Sequence, residues 1–226
     1  MAYTDENFAV LPLGCSCQTN HQINAQISLI GDVLRASYPI QLSTYFDWII
    51  APSGSTLKLI EAGLPLPESL DEIGWACGKP EWVKENILFY HEFIDPWHNY
   101  YSSQEGLDSL RGKFSYTASN LKTMAQAKKT IFMWSNSQNN LDHVSTECAN
   151  LDVVLTYDAV DKIMRAGDIL SSGQASYVFV TYEDRHALDL TKTIDRAQVH
   201  VIARDESGWE GDEGEWARVF RTFNPS

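Results

Sequence analysis

Apolar positions along the chain follow two periods, one of strands and one of helices. Phe8-Ala9-Val10-Leu11-Pro12-Leu13 is a short apolar run that stops at Gly14, which predicts a first strand weakened at its end by Pro12. Ile23, Ile27, Ile30 and Leu34 then recur at helical spacing and predict one helix from about Gln18 to Ala36, with Gly31 as a tolerated weak point and Pro39 beyond its end. Leu42 to Ile50 is a second apolar segment. Ser53 or Ser55 would cap a short helix from Thr56 to Ala62, closed by Gly63.

Residues 64–85 carry Pro65, Pro67, Gly74, Gly78 and Pro80 and read as an irregular insertion. Asn86 to Phe93 reads as a strand. Leu107, Leu110, Phe114, Leu121 and Met124 mark a long helix ending at Lys128-Lys129, where cations suit the helix dipole. Thr130 to Trp134 is an apolar strand followed by a polar loop, Ser135 to Asn140. Leu151 to Leu170 is ambiguous, with a strand at Val153–Tyr157 and a helix around Val160–Met164 as its two parts. Ser176 to Tyr182 and Gln198 to Ala203 are the last strands, and Glu215 to Phe223 is a closing helix.

Strands separated by helical stretches imply an α/β fold: an open, mostly parallel twisted sheet with helices on both faces, Rossmann-like or hydrolase-like, with room for an antiparallel edge pair. The length of 226 residues suits a single domain. Sites in such sheets form beyond the carboxyl ends of the strands, which directs attention to Gly14–Cys17.

Composition narrows the partners. Seventeen Lys and Arg against 30 Asp and Glu give a net charge of −13, so nucleic acid and anionic membrane surfaces are poor partners. No apolar run is long enough to span a bilayer. Met1–Asn7 lacks the cationic start of a signal peptide, so the expected compartment is the cytoplasm. There, Cys15, Cys17, Cys77 and Cys148 are expected to stay thiols.

The sharpest chemical feature is Leu13-Gly14-Cys15-Ser16-Cys17-Gln18. A strand ends, a glycine permits a tight turn, and a thiol stands at a helix start, where the dipole and free N–H groups favour thiolate. The same N–H groups would form an oxyanion hole. Of the two cysteines, Cys17 is better placed; Cys15 points back into the sheet or its turn, and both also suit a buried, inert role. A zinc site from Cys15, Cys17 and His21 is a weaker alternative, because no second ligand pair follows.

A thiol nucleophile needs a base. His91 lies at the end of a predicted strand and so would reach the same edge. His98, in Asp95-Pro96-Trp97-His98, is a weaker candidate, and His21, His143, His186 and His200 have nothing to lift them. Asp47, between Phe46 and Trp48, would either orient a histidine or cap a backbone turn. In Trp209-Glu210-Gly211-Asp212-Glu213-Gly214-Glu215-Trp216, Asp212 reads as the cap of the last helix and Trp216 as its anchor. No Gly-rich phosphate loop, zincin motif or other cofactor signature occurs, so no cofactor or metal is expected.

Leu13-Gly14-x-x-Cys17, Phe46-Asp47-Trp48-Ile49, His91 with an acidic residue and Phe93 after it, and Trp209-x-Gly211-Asp212-x-x-x-Trp216 occur in an order that resembles a largely bacterial family of unknown function catalogued as papain-like cysteine peptidases. The resemblance runs from about residue 8 to 221. It implies Cys17 as the family cysteine, with Asp47 and His91 as its partners, and a papain-like α+β fold as the alternative architecture. The chain departs from the family pattern at Ser135-Asn136, where members carry Arg, and at Glu92, where they carry Asp.

Together these readings predict a cysteine-nucleophile hydrolase or acyltransferase: Cys17 attacks, His91 activates it, and Asp47 orients the histidine. Gly14, Ser16, Gln18, Trp48, Glu92 and Asp212 would line the substrate site. Its substrate would be a small molecule, peptide or glycan. The alternatives are a non-catalytic module whose pocket, lined by Trp48, Trp97 and Trp209, holds a small molecule or glycan, and, more weakly, a Rossmann-like transferase needing a nucleotide or other donor.

Overall fold

A computed structural model describes residues 8–35, 42–95, 99, 101–127, 129–139, 141–142, 151, 153–171, 175–206 and 208–223. Among positions read from the sequence, Met1–Asn7, Ala36, Pro39, Trp97, His98, Lys128, Asn140, His143 and Cys148 lie outside them. In chain order the elements are β1 (Phe8–Pro12), α1 (Gln18–Ala25), α2 (Ile27–Leu34), β2 (Ile49–Ile50), α3 (Ser53–Glu61), β3 (Ile73–Ala76), β4 (Lys79–Trp82), β5 (Ile87–Phe89), α4 (Gln104–Met124), β6 (Lys129–Ser135), α5 (Tyr157–Ser171), β7 (Ala175–Thr181), β8 (Ala197–Val201) and α6 (Glu213–Phe220).

The fold is α/β. Strands β1, β6, β7 and β8 lie side by side in that order, every pair parallel, with Leu11 against Phe132 and Met133 against Val178. Side chains alternate between the two faces with the strand period of two. Leu11, Leu13, Phe132, Trp134, Tyr177 and Phe179 join one core with residues of α3, α4 and α5. Val10, Ile131, Met133, Val178 and Val180 join the other with Ile23, Ile30 and Leu34 of α1 and α2 and with Trp216 and Phe220 of α6. Helices on both faces bury both sides of the strands, which is why they read as unbroken apolar runs.

Antiparallel strands do occur, but as a sheet of their own rather than as an edge pair: β2-β5-β4-β3. This corrects the reading of 64–85 as wholly irregular. Ile73–Ala76 and Lys79–Trp82 form a hairpin, turning through Cys77 and Gly78 at positive φ. Trp82 and Ile73 anchor this second sheet in the same core as the β1 side of the first.

Several boundaries also move. The single helix predicted from Gln18 breaks at Gln26, whose amide donates to the Glu213 carbonyl at 2.9 Å, while Gly31 stays inside α2. Helix α3 starts earlier than predicted, at Ser53, and its N-cap is Pro52 with no side-chain cap. Gly63 follows α3 with φ +80, the left-handed turn that ends a helix. Helix α4 stops at Met124, and Lys129 opens β6. Leu155 makes only an isolated bridge to His186, so the strand predicted at Val153–Tyr157 does not form; α5 starts at Tyr157 and runs to Ser171. Asp212 caps α6 as predicted, accepting from the Glu215 N–H at 2.7 Å, and Trp216 is fully buried. Cys15 and Cys17 are free thiols, but Cys77 is disulfide-bonded, which corrects the expectation of four thiols. Among the described residues, no helix is long and apolar enough to cross a membrane.

Candidate functional site

The turn after β1 places the candidate residues. Leu13 N–H still bonds to the Met133 carbonyl, so the chain follows β6 to the sheet's carboxyl edge before turning. Gly14 sits there at φ +88; a Cβ would lie 3.1 Å from both the Ala51 carbonyl oxygen and the Thr56 hydroxyl. Cys15 is sealed inside and its carbonyl accepts from the Ala51 N–H at 3.0 Å. Cys17 is half-buried and forms the N-cap of α1. The sequence therefore assigned the two cysteines correctly: one inward, one at the helix start.

The electrostatics run against the predicted thiolate. Burial pushes the Cys17 thiol up to about 11, its own backbone N–H lowers it by less, and the Asp47 charge adds to the rise. Desolvation outweighs the helix end, so Cys17 rests as a neutral thiol at pH 7. Its Sγ donates to Gln138 Oε1 at 3.6 Å.

Gln138 belongs to the stretch that starts at the last residue of β6, Ser135, and was predicted as a plain polar loop to Asn140. Ser135, Asn136, Ser137 and Gln138 are all buried. The Ser135 and Ser137 hydroxyls share a hydrogen bond of 2.7 Å, and the Ser137 hydroxyl donates to Gln18 Oε1 at 2.7 Å. Asn136 Nδ2 donates to the Val153 and Arg185 carbonyls. Beneath the loop lies Arg185, itself buried, whose guanidinium donates to the carbonyls of Asn136, Gln138 and Asn139 and to Asp142. Nothing local in the sequence marked Arg185, because its partners lie far away along the chain.

Gln18 bridges this loop to the C-terminal acidic segment: its Nε2 donates to the Trp209 carbonyl at 2.9 Å. Gln22 and Gln26 continue the same stripe, donating to the carbonyls of Glu210, Gly211 and Glu213. Trp209 is partly exposed, and its ring meets the edge of His21 at 5.0 Å.

Asp47 is near enough for its charge to act on the Cys17 thiol. Its carboxylate accepts from the Thr44 N–H and hydroxyl, both at 2.6 Å, and from the Ser43 hydroxyl at 3.0 Å. Of the two roles read from the sequence, capping a turn is the one observed: Thr44 and Asp47 form a capping box around the 3-10 turn Tyr45–Trp48. Burial pushes its carboxyl up to about 6, against the pull of those hydrogen bonds and of Lys113.

His91 does not meet Cys17. Among the described residues the Cys17 thiol bonds to Gln138, and the His91 ring makes an edge contact with Trp48 at 5.5 Å. The reason is topological. Strand β5 belongs to the antiparallel sheet and ends at Phe89, so His91 follows that sheet and not the carboxyl edge of the parallel one. His91 is exposed, and its ring is held below the ordinary imidazole value by desolvation and then by the charges of Lys113 and Lys79. Trp48 is clamped between elements: its Nε1 donates to the Ser43 hydroxyl, and Lys113 Nζ sits 3.7 Å from the ring centroid. Glu92 is buried and paired with Lys113 at 2.5 Å.

Of the other predicted lining residues, Ser16 is buried with a hydroxyl that has no partner, and Asp212 is occupied in capping α6. Among the described residues no three His, Cys, Asp or Glu groups come together to hold a metal, so the Cys15, Cys17 and His21 set does not form a zinc site. Among the described residues, the arrangement around Cys17 is thus rich in neutral amides and hydroxyls and holds no imidazole on the thiol. Comparison with family models, curated proteins and solved structures found no match. The family resemblance therefore rests on the motif residues alone.

Proposed function

We propose that this chain is a small-molecule-binding α/β domain whose site lies beside Cys17, at the carboxyl edge of the parallel sheet. It would take a neutral polar ligand, with a glycan fragment as the best-fitting class. The observation that carries this reading is the Cys17–Gln138 hydrogen bond: a thiol pushed up to about 11 and tied to a neutral amide is a recognition and packing group, not a poised nucleophile. Trp209 supplies a partly exposed ring, which sugar binding uses, and Gln18 holds it in place through the Trp209 carbonyl.

A test is a panel of mono- and disaccharides titrated against the intrinsic tryptophan fluorescence. Saturable quenching that survives Cys17→Ser and is lost in Trp209→Ala supports the reading. Absence of saturation with every sugar, or equal quenching in Trp209→Ala, overturns it.

The cysteine hydrolase or acyltransferase is a second reading. One observation favours it: Cys17 stands at the N-cap of α1, beyond the end of β1. It would require substrate binding to bring a base to the sulfur. Iodoacetamide separates the two readings, because a nucleophile activated by His91 reacts fast at pH 7 and slows in His91→Ala. The disulfide at Cys77 favours an oxidising surrounding over the expected cytoplasm.

A further inference from the structure

Gly208 to Gly211 lie against α1 as a strap. Gln18 Nε2 donates to the Trp209 carbonyl at 2.9 Å, and Gln22 Nε2 donates to the carbonyls of Glu210 at 2.7 Å and Gly211 at 3.3 Å. The two glutamines stand one helical turn apart, and both are fully buried. The strap is tied on either side of this contact: the Asp205 N–H donates to the Tyr182 hydroxyl at 3.4 Å, and Asp212 caps α6.

The strap is held by polar contacts. Among the described residues, none from Ala203 to Glu215 joins either apolar core, and Trp209 is 39% exposed. When a polar contact opens, water takes up both partners, so a cover of this kind lifts far more easily than an element seated on apolar side chains. The fit beneath it is also imperfect. Gly211 has φ +81, and a Cβ there would stand 2.7 Å from Gln18 Nε2 and 3.2 Å from Trp216 Nε1. Trp216 is fully buried, and its Nε1–H, beside that glycine, has no hydrogen-bond partner. The closed strap thus leaves a buried donor unpaired, an unfavourable state that opening to water relieves.

We infer that Gly208–Gly211 is a lid: it opens while the rest of the domain stays folded, and a ligand beside Cys17 holds it shut. The ligand coupling rests on the sugar-binding reading of that site; the opening does not. Gln18 is the link between the two. Its Oε1 accepts from Ser137, next to the Gln138 that bonds Cys17, while its Nε2 holds the Trp209 carbonyl. A ligand resting on the Trp209 ring makes contacts that it loses when the strap lifts, and that difference shifts the population toward the closed form.

Hydrogen exchange at the indole N–H groups, followed by heteronuclear NMR of the full chain, tests the lid. Trp134 is the internal control: its Nε1–H is likewise buried and unpaired, but its ring belongs to the core on the β1 side of the parallel sheet. The Trp216 Nε1–H is expected to exchange at least about a hundredfold faster than that of Trp134, at a rate that sub-denaturing urea leaves unchanged. Gly211→Ala drives a methyl toward Gln18 at a φ that alanine disfavours, and should raise the Trp216 rate about tenfold further while leaving Trp134 unchanged. A saccharide that saturates the tryptophan fluorescence should lower the Trp216 rate about tenfold. Equal rates for the two indoles, a Trp216 rate shared by the α6 backbone amides of Val219 and Phe220, or a rate that Gly211→Ala does not move overturns the lid. A sugar that saturates the fluorescence and leaves the Trp216 rate unchanged overturns its coupling to the ligand. If no sugar saturates, the sugar-binding reading falls with that coupling, while the exchange rates without ligand still decide the lid.

Discussion

The thiol of Cys17 is hydrogen-bonded to the side-chain amide of Gln138 at 3.6 Å, joining the turn after β1 to the loop after β6. The two strands pair in parallel, so their carboxyl ends arrive together, and the contact is a consequence of the sheet. Burial of the sulfur at this junction, with the nearby Asp47 charge, holds it protonated. Alkylation of Cys17 by iodoacetamide should therefore be slow at pH 7 and rise steeply only toward pH 11. His91→Ala should leave the rate unchanged. A fast reaction near neutrality that depends on His91 would restore the nucleophile reading.

Asp47 gives a pH signature of stability. Its folded carboxyl lies near 6 and its ordinary value is 3.8. Because the folded value is raised, its contribution is fully present below about pH 4 and is lost as pH climbs through 6. Two units correspond to about 3 kcal/mol. Asp47→Asn cannot titrate, so its unfolding free energy should gain on the wild type by up to about that amount between pH 4 and pH 7. The reading is the slope across this window in urea denaturation, since the amide also changes the fixed hydrogen bonds to Ser43 and Thr44. Parallel pH profiles for the two proteins would contradict it.

The fold was largely legible because its signals are local. The β1, β6 and β7 runs are apolar on both faces, and each is closed by a turn or polar residue that the sequence displays. The Asp212 cap and the Trp216 anchor were likewise legible, since cap and helix are neighbours. What failed was pairing. The reading of Asn86–Phe93 as a strand was right at Ile87–Phe89, but nothing in those residues says which sheet they join, and the placement of His91 turned on that choice. The hairpin at 73–82 was hidden because its prolines and glycines read as punctuation, while Pro80 fits within short β4. The buried residues 135–138 looked like a surface loop because the donor that satisfies them, Arg185, comes from the turn Glu183–Arg185 after β7.

The glutamine stripe of α1 supports a stability prediction. Gln22 is fully buried, and its Nε2 donates to the Glu210 carbonyl at 2.7 Å. Gln22→Ala should cost about 1–3 kcal/mol, because it removes a fully buried side chain and its bonds to the partly buried Glu210 and Gly211 carbonyls, and leaves a void. It should also free the segment carrying Trp209, seen as a red shift and increased quenching of tryptophan emission by acrylamide. Thr19→Ala, on the same helix, removes a buried hydroxyl that has no partner and should cost much less.

Arg185 sets the largest expected effect. It is 4% exposed, and its guanidinium holds the carbonyls of Asn136, Gln138 and Asn139 while pairing with Asp142 at 2.7 Å. The arginine faces Tyr182 at 5.1 Å, where Arg204 also packs and bonds to Asp142 and Asp184. Arg185→Met keeps the volume but removes every donor, leaving three loop carbonyls without that partner. Such a loss inside a buried polar network costs about 3–5 kcal/mol. Asp142→Ala should cost far less, because Asp142 is half exposed and the loop carbonyls would keep their donors. If the loop is what ties Cys17 down, Arg185→Met should also raise the iodoacetamide rate at Cys17, whereas Asp142→Ala should not. Equal losses of stability in the two variants would mean that the ion pair, rather than the carbonyl cage, holds the loop.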